Sequence, residues 1–262
     1  MQEIIIILSA GIVTGMTTIM CGFGGGFIVV PFVYHIVALN PGLSHYAMHI
    51  AVATSTAVMI VNSSYATFSQ WRGGHLLKET VLPIIVFIAA GALGGALLSR
   101  YLTDNTVRLL FIVYMLATIV DCLFRRGFID KADKRPLSAR VSAWGGFIIG
   151  AIAALLGVGG SVMTVPLLRR HGYEMRYCVS AANPLSVPVA ILGSVVYAIT
   201  AYGQHPGPEY IGFINIKILV LLIITGFIGI YIAKKFIPRI RDRLHAKIYV
   251  FLLLVVLTAM VF

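Results

Sequence analysis

The sequence predicts an all-α polytopic membrane protein with two inverted repeats, each a glycine-broken helical pair plus three transmembrane helices. The first observation behind this prediction is composition: 59% of the 262 residues are hydrophobic, 11% are charged, and the mean hydropathy is +0.96. Soluble domains carry roughly 25% charged residues, so this chain lacks the polar surface of such a domain. The other two observations are a series of apolar segments and a motif that occurs twice.

The apolar segments follow one another along the whole chain and have the same order in both halves. A membrane-spanning helix needs about 20 apolar residues, and in each half three segments of about this length follow a broken pair. The predicted segments are 4–22, 27–39, 46–68, 80–98 and 107–124, then 141–157, 162–170, 177–200, 215–233 and 248–262. The first is interpreted as a membrane element and not as a signal peptide, because no basic start or cleavage site accompanies it.

The repeated motif contains glycines followed by a proline. FGGGFIVVPFV at 23–33 aligns with VGGSVMTVPLL at 158–168, at an offset of 135 residues. Since the apolar segments around the two motifs have the same order, we divide the chain into a first transmembrane repeat at 1–124, a cytoplasmic linker at 125–140 and a second transmembrane repeat at 141–262.

The distribution of basic residues predicts the topology. With 125–140 in the cytoplasm and each broken pair returning to its own side, 17 of the 20 Lys and Arg lie in cytoplasmic loops. This is the positive-inside pattern of membrane proteins. Both termini are then outside, in the periplasm or extracellular space. Each repeat crosses the membrane three times, an odd number, so the two repeats have opposite orientations, as in many secondary transporters.

Charge and cysteine content exclude other classes of protein. The net charge of +11 comes from short basic clusters between apolar runs, which fits topology signals and does not predict a nucleic-acid partner. The three cysteines have no paired spacing, so we expect neither a disulfide framework nor a metal site, and no cofactor. Without room for a soluble catalytic domain, we expect no enzyme, although an intramembrane enzyme stays open as an alternative.

The glycine breaks are the candidate binding site. A break inside the hydrocarbon layer leaves amides unsatisfied unless protein, water or a ligand pairs with them, and glycine allows close approach to the backbone. Helix N-termini at such breaks attract anions. A β-branched side chain at Gly25 or Gly160 is therefore expected to stop binding. The alternative is that these glycines only allow tight helix packing.

Polar residues in the spans extend this candidate site. Thr54, Ser55 and Asn62 lie on one apolar segment, and Asn183 and Ser186 lie on the comparable segment of the second half. Neutral hydroxyl and amide donors could complete the shell of an oxyanion, or they could form interhelical hydrogen bonds. Two prolines beside Asn183 predict an irregular helix there.

Titratable residues are scarce in the spans. Asp121 is expected to pair with Arg125 near the cytoplasmic end of its helix. His45 and His49 near the outer mouth, and also Asp121, are candidates for gating or proton coupling. Cation transporters usually have carboxylates deep within the membrane. The scarcity of Asp and Glu in the spans therefore favours an anion as the substrate. A permease for a metal or another cation stays open as an alternative.

The two glycine motifs also carry a family resemblance. GFGGGFIVVPFV followed by AVATSTAV, with GVGGSVMTVPLL in the second half, resembles the TauE/SafE family of sulfite and organosulfonate exporters. The resemblance covers nearly the whole chain. It implies a bacterial inner-membrane permease for sulfite, sulfoacetate or another organosulfonate. Uptake of a sulfur anion such as thiosulfate, and assembly as a homodimer, are both compatible with it.

The resemblance also implies which residues bind substrate. Together with the reasoning above, the predicted set is Gly24, Gly25, Gly26, Phe27, Thr54, Ser55, Asn62, Gly159, Gly160, Ser161, Asn183 and Ser186. Two departures from the family pattern stand out. Ser161 replaces the third glycine of the second motif, and Asn183 with its neighbours stands where a second Thr-Ser pair is expected, so the second half of the site is expected to prefer a different anion.

Overall fold

A computed structural model describes residues 2–74, 78–124, 128–129, 137–200, 206–236 and 240–262. The described chain is helical except for one short hairpin and the connections. The α-helices, in chain order, are α1 Gln2–Cys21, α2 Gly26–Ala38, α3 Ala47–Arg72, α4 Lys78–Ser99, α5 Asp104–Phe124, α6 Gly146–Leu156, α7 Ser161–Arg170, α8 Met175–Thr200, α9 Ile216–Phe236 and α10 Asp242–Val261. Most of the predicted linker, at 125–127 and 130–136, lies outside the described residues.

The described helices confirm the predicted all-α membrane architecture. Six apolar segments are long enough to cross a membrane, three from each half of the chain: Ser44–Arg72, Val81–Ser99, Asp104–Phe124, Met175–Thr200, Ile216–Phe236 and Asp242–Val261. The remaining helices form a shorter pair at the start of each half. A 3₁₀ turn precedes α3 and a π-helical turn at Val141–Gly145 precedes α6.

The two halves have matching element boundaries. The helix before each break ends at Cys21 or Leu156, and the helix after it begins at Gly26 or Ser161. Both pairs of boundaries are 135 residues apart, the offset of the sequence motif. The aligned glycines therefore separate two helices at equivalent positions in both halves.

Glycine surfaces join the two halves. In α1, a Cβ added to Gly15 would lie 2.0 Å from the carbonyl oxygen of Gly226 in α9. In α4, a Cβ added to Gly95 would lie 1.9 Å from the carbonyl oxygen of Ala151 in α6. Small residues allow such backbone contact between membrane helices. Because each contact joins one half to the other, the halves form a single packed body.

The long helices α3 and α8 form the centre of the molecule. Most residues of both helices are buried. They run antiparallel, since Thr56 lies beside Gly193 whereas Gln70 contacts Asn183. Equivalent helices of opposite direction are what the predicted inversion requires, and the orientation in the membrane stays a prediction.

The expected irregularity of α8 is wrong. The helix is continuous from Met175 to Thr200 through both Pro184 and Pro188. Membrane helices tolerate proline where neighbouring helices and polar side chains compensate for the lost backbone bond. Close packing of α8 between α3, α4 and α7 provides such neighbours.

A small antiparallel hairpin, β1 Tyr210–Ile211 and β2 Ile214–Asn215, was not predicted. Its turn residue Phe213 is buried near the rings of Tyr46 and His49, at 5.7 Å from each. The backbone N–H of Asn215 donates to Thr54 Oγ1 at 3.1 Å. The hairpin therefore covers the gap between α3 and α8 at the end where α3 begins.

Candidate functional site

Both glycine breaks adopt a backbone that other residues rarely adopt. In the first break φ is +74° at Gly22, +63° at Gly24 and +90° at Gly25; in the second it is +67° at Gly157 and +70° at Gly159. Side chains with a Cβ are disfavoured at positive φ. These glycines allow each helix to stop and a new one to begin within four residues.

The two breaks contact each other. Ser55 Oγ on α3 lies 2.9 Å from the carbonyl oxygen of Gly26 and 2.7 Å from that of Gly157. A Cβ added to Gly26 would lie 2.6 Å from the same Gly157 oxygen. The Ser55 hydroxyl therefore lies within hydrogen-bond distance of both motifs and can donate to either one.

Met59 and Ser186 line the place where the breaks approach. A Cβ added to Gly24 would lie 3.5 Å from both Met59 Cγ and Ser186 Cβ. A Cβ added to Gly159 would lie 3.0 Å from Ser186 Oγ and 3.3 Å from Met59 Sδ. The aligned glycines of the two motifs thus face the same pair of side chains, one on α3 and one on α8.

A group of buried polar atoms lies on the helices that meet at and beside the breaks. We call it the polar cluster; its side-chain atoms lack a hydrogen-bond partner among the described residues and belong to Thr14, Asn62, Ser63, Thr67, Ser161 and Asn183. Asn62 is fully buried, and within the part of the chain that the structure describes both its amide nitrogen and its amide oxygen lack a partner. An unsatisfied buried polar group costs about 1–3 kcal/mol. Such a concentration therefore indicates a place for water or a ligand.

Asn62 lies directly against the first break. A Cβ added to Gly25 would lie 2.8 Å from Asn62 Nδ2, and one added to Gly226 of α9 would lie 3.0 Å from Asn62 Oδ1. The missing side chains at both glycines leave room for the amide. Asn62 is consequently placed beside the N-terminus of α2, which begins at Gly26.

The positive potential at the cluster comes from helix ends. Arg169 is the one charged residue among the fully buried described side chains. Its guanidinium group forms a salt bridge with Asp242 and donates hydrogen bonds to the carbonyl oxygens of Phe128, Ile129 and Tyr173. The N-termini of α2 and α7 each carry roughly half a positive charge. Neutral donors beside two such ends are suited to an anion.

Several predicted site residues have other partners. Thr54 accepts from the hairpin, and Ser186 donates to the carbonyl oxygen of Ala182 at 3.0 Å. The Phe27 ring stacks on Phe23 at 4.4 Å, so its side chain lies in the aromatic core. Gly160 has φ −68°, an ordinary helical value, so its backbone angle does not require glycine.

Sequence reasoning missed part of the surroundings of the breaks. Thr14 and Thr18 on α1, and Thr67 and Gln70 on α3, are the polar residues that the structure adds. The spacing i, i+4 of the two threonines, and of Ser63 and Thr67, indicated a shared helix face and could have identified them. No spacing or polarity pattern in the sequence indicated that Met59 lies at the breaks.

The candidates for gating or proton coupling lie at helix ends. His45 is exposed, and His49 Nδ1 lies 2.6 Å from Asp104 Oδ1. Asp104 also accepts from the backbone N–H groups of Met48 and His49, at 2.6 and 3.0 Å. Asp121 pairs with Arg170 in the structure; the expected partner, Arg125, lies outside the described residues.

Buried helices, paired breaks and an uncharged polar centre define a polytopic membrane protein whose polar groups are concentrated at its centre. The sequence model of the family described as sulfite exporter TauE/SafE matches residues 7–260. The chain therefore belongs to the TauE/SafE family.

Curated relatives agree with this assignment. The chain is 24% identical to a probable membrane transporter protein of Methanocaldococcus jannaschii, over 89% of this chain and 88% of the relative. It is 23% identical to one of Haemophilus influenzae, over 86% and 85%, and 24% identical to YdhB of Bacillus subtilis, over 90% and 89%. No solved structure matches the chain with significance. The comparisons thus place the chain among membrane transporters.

Proposed function

We propose that this chain transports a small sulfur-containing anion, such as sulfite or an organosulfonate, across the bacterial inner membrane. The observation that carries the proposal is the polar cluster at the two breaks, above all Asn62, whose two amide atoms have no partner in the described chain. The sulfur chemistry is taken from the family description. The anionic charge is supported by the site itself.

An uncharged site beside helix N-termini favours an anion over a cation. The first-turn N–H groups of α2 and α7 point towards the breaks, and their partial positive charge repels a metal ion. Hydroxyl and amide groups then offer further donors to the oxygen atoms of a sulfite or sulfonate group. Because no buried lysine or arginine is required, the site can bind an anion and still release it.

The same site supports alternating access. It lies between α3 and α8, the antiparallel helices that correspond in the two halves, and the two breaks contact each other there. Inverted-repeat transporters bind substrate at the repeat interface near the bilayer midplane. We infer that rocking of one half against the other exposes the cluster to each side in turn.

Flux measurements in proteoliposomes test the proposal. We expect wild-type protein to move radiolabelled sulfite, sulfoacetate or thiosulfate faster than protein-free vesicles do. Asn62→Leu should reduce this flux at least about tenfold, because a donor group worth about 1.5–3 kcal/mol to a charged ligand is lost. The thermal stability should stay the same or rise, since Asn62 has no partner to lose.

Ser64→Ala, an exposed position on the same helix, is the matched control and should transport normally. Flux of none of these sulfur anions by the wild-type protein, or equal flux by Asn62→Leu and Ser64→Ala, would contradict the proposal.

A further inference from the structure

A cavity of ≈ 560 Å³ lies between the ends of five helices on one face of the molecule. Its lining includes Met20 of α1, Ser69 and Gln70 of α3, Val179 of α8 and Lys234 of α9. The end of α3 and the beginning of α8 meet there, the face that the distribution of lysine and arginine assigns to the cytoplasm. The hairpin with Phe213 covers the opposite end of the same helix pair.

A row of polar side chains on α3 connects this cavity to the glycine breaks. Ser63, Thr67 and Gln70 have the spacing i, i+4, i+7 and so share one helix face. Gln70 lines the cavity, and a Cβ added to Gly24 would lie 2.4 Å from Ser63 Oγ. The hydroxyls of Ser63 and Thr67 are buried without a partner among the described residues. Buried hydroxyls are costly to leave unpaired, which supports a path for water and polar solutes along this row.

One hydrogen-bonded layer interrupts the row. The amide nitrogen of Asn183 on α8 donates to Gln70 Oε1 at 3.2 Å and to the carbonyl oxygen of Thr18 at 3.3 Å. These bonds join α8, α3 and α1 between the cavity and the glycine breaks. The amide oxygen of Asn183 lacks a partner among the described residues. A solute that leaves the cavity for the breaks must therefore separate Gln70 from Asn183.

We propose that this cavity is the cytoplasmic entrance of the transport path and that Gln70 is a specificity-determining residue at its inner end. Once the bond to Asn183 opens, the Gln70 amide can turn its N–H groups towards a passing anion. The wall of the cavity contains two acidic residues, Glu174 and Asp242, and two basic residues, Arg176 and Lys234. Because these charges balance, we assign the selection of anions to the layer formed by Gln70 and Asn183. The role assigned to Gln70 rests on the proposed anion transport, whereas the entrance itself does not.

Cysteine labelling tests the entrance without any assumption about substrate. The full chain, with its three buried cysteines replaced by alanine, is placed in membrane vesicles of both orientations and treated with a membrane-impermeant anionic methanethiosulfonate. We expect Gln70→Cys to react in inside-out vesicles and not in right-side-out vesicles. Leu116 is exposed on the surface of α5, which we expect to face lipid. Leu116→Cys is therefore the control that should stay unreactive in both kinds of vesicle.

A second position tests the barrier. Ser63→Cys should react from the cytoplasmic side at least about ten times faster when Gln70 is also replaced by alanine, because the loss of the hydrogen bond to Asn183 and of the side chain's volume opens the row. Reaction of Gln70→Cys only from outside, or from neither side, overturns the entrance. An unchanged rate at Ser63→Cys overturns the barrier.

Anion selectivity tests the role of Gln70. We expect Gln70→Glu to reduce anion flux at least about tenfold and to reduce thiosulfate, a dianion, more than the monoanion ethanesulfonate, because like charges within a few ångströms repel strongly at low dielectric. Gln70→Met, which has similar length and no charge, should leave the ratio of the two fluxes unchanged. An equal effect of Gln70→Glu on both anions would show that Gln70 only holds helices together. Absence of any wild-type flux would instead count against the proposed function and leave the labelling result standing.

Discussion

Gly25 and Gly160 occupy aligned positions in the two motifs, yet the structure gives them different backbones. Gly25 has φ +90°, and a Cβ there would lie 2.8 Å from Asn62 Nδ2 and 2.9 Å from Thr14 Cγ2. Gly160 has φ −68°, and a Cβ there would meet nothing closer than 3.5 Å. The first glycine is therefore required by its conformation and by its neighbours, whereas the second is not.

This difference predicts unequal effects of the same substitution. Gly25→Ala should reduce sulfite flux in proteoliposomes at least about tenfold, because a residue with a Cβ at positive φ costs about 1–2 kcal/mol and the methyl group displaces Asn62. Gly160→Ala should keep flux within about twofold of wild type, since ordinary van der Waals space is available. Equal loss in both variants would show that the two motifs depend on glycine for another reason.

At the scale of residues, the sequence identified polar residues that lie at the two glycine breaks and missed those between the breaks and the cavity; that they bind substrate stays a prediction. Paired glycines and the polar residues Ser55 and Asn62 were found because aligned motifs and polar groups in apolar helices are visible in one chain. The partners of each side chain were not visible. Whether Thr54 is free or accepts from Asn215 depends on a hairpin 161 residues away, and no local pattern encodes that contact.

At the scale of helices, neighbouring glycines have separate functions. Gly94 and Gly95 are adjacent on α4, but a Cβ on Gly94 would meet no atom within 4 Å, whereas one on Gly95 would lie 1.9 Å from the backbone oxygen of Ala151. One glycine faces open space and the other faces α6. The pair therefore separates the effect of helix propensity from the effect of helix packing.

We expect Gly94→Ala to keep or raise the melting temperature, because alanine is favoured over glycine inside a helix by about 1 kcal/mol. Gly95→Ala should lower the stability by about 1–3 kcal/mol, since a methyl group forced against a backbone atom separates the two helices. Thermal unfolding in detergent, followed by tryptophan fluorescence, measures both. A melting temperature of Gly95→Ala at or above that of Gly94→Ala would contradict the observed packing.

Helix boundaries were the best predicted feature at this scale. Apolar length located the spanning helices, and the glycines located the breaks, because both depend on local chemistry and on the thickness of the bilayer. The continuity of α8 was not predicted, since the ability of a helix to contain Pro184 and Pro188 depends on its neighbours. The hairpin at 210–215 was missed for the opposite reason: two strands of two residues each are too short for a periodic pattern.

At the scale of the whole molecule, the halves exchange helices. The first helix of the first half packs on α9 of the second half, and α6 of the second half packs on α4 of the first half. Each half on its own would therefore expose helix surfaces that the other half covers. The chain was divided at 125–140 from sequence alone, and this exchange indicates that the two repeats are one folding unit.

The whole molecule also predicts a response to voltage. Moving one charge through the membrane potential changes its free energy by about 2.3 kcal/mol per 100 mV, and an anion leaves a negative interior downhill. For proteoliposomes loaded with sulfite, under a potassium–valinomycin potential and without a pH gradient, we expect efflux to accelerate when the interior is negative. Efflux that ignores the potential and follows an imposed proton gradient would show that a titratable residue such as His49 or Asp121 couples transport to protons.

Ser55 has one proton for two acceptors. Its hydroxyl can donate at any moment to the carbonyl oxygen of Gly26 or to that of Gly157, but not fully to both, although it lies within 2.9 and 2.7 Å of them. One motif is then held and the other is free of this bond, and rotation of a single O–H exchanges them. A typical hydrogen bond contributes only about 0.5–1.5 kcal/mol net, close to thermal energy. Ser55 can thus change its partner from one motif to the other, and the hydrogen bond that it contributes between the motifs at any moment is a single weak one.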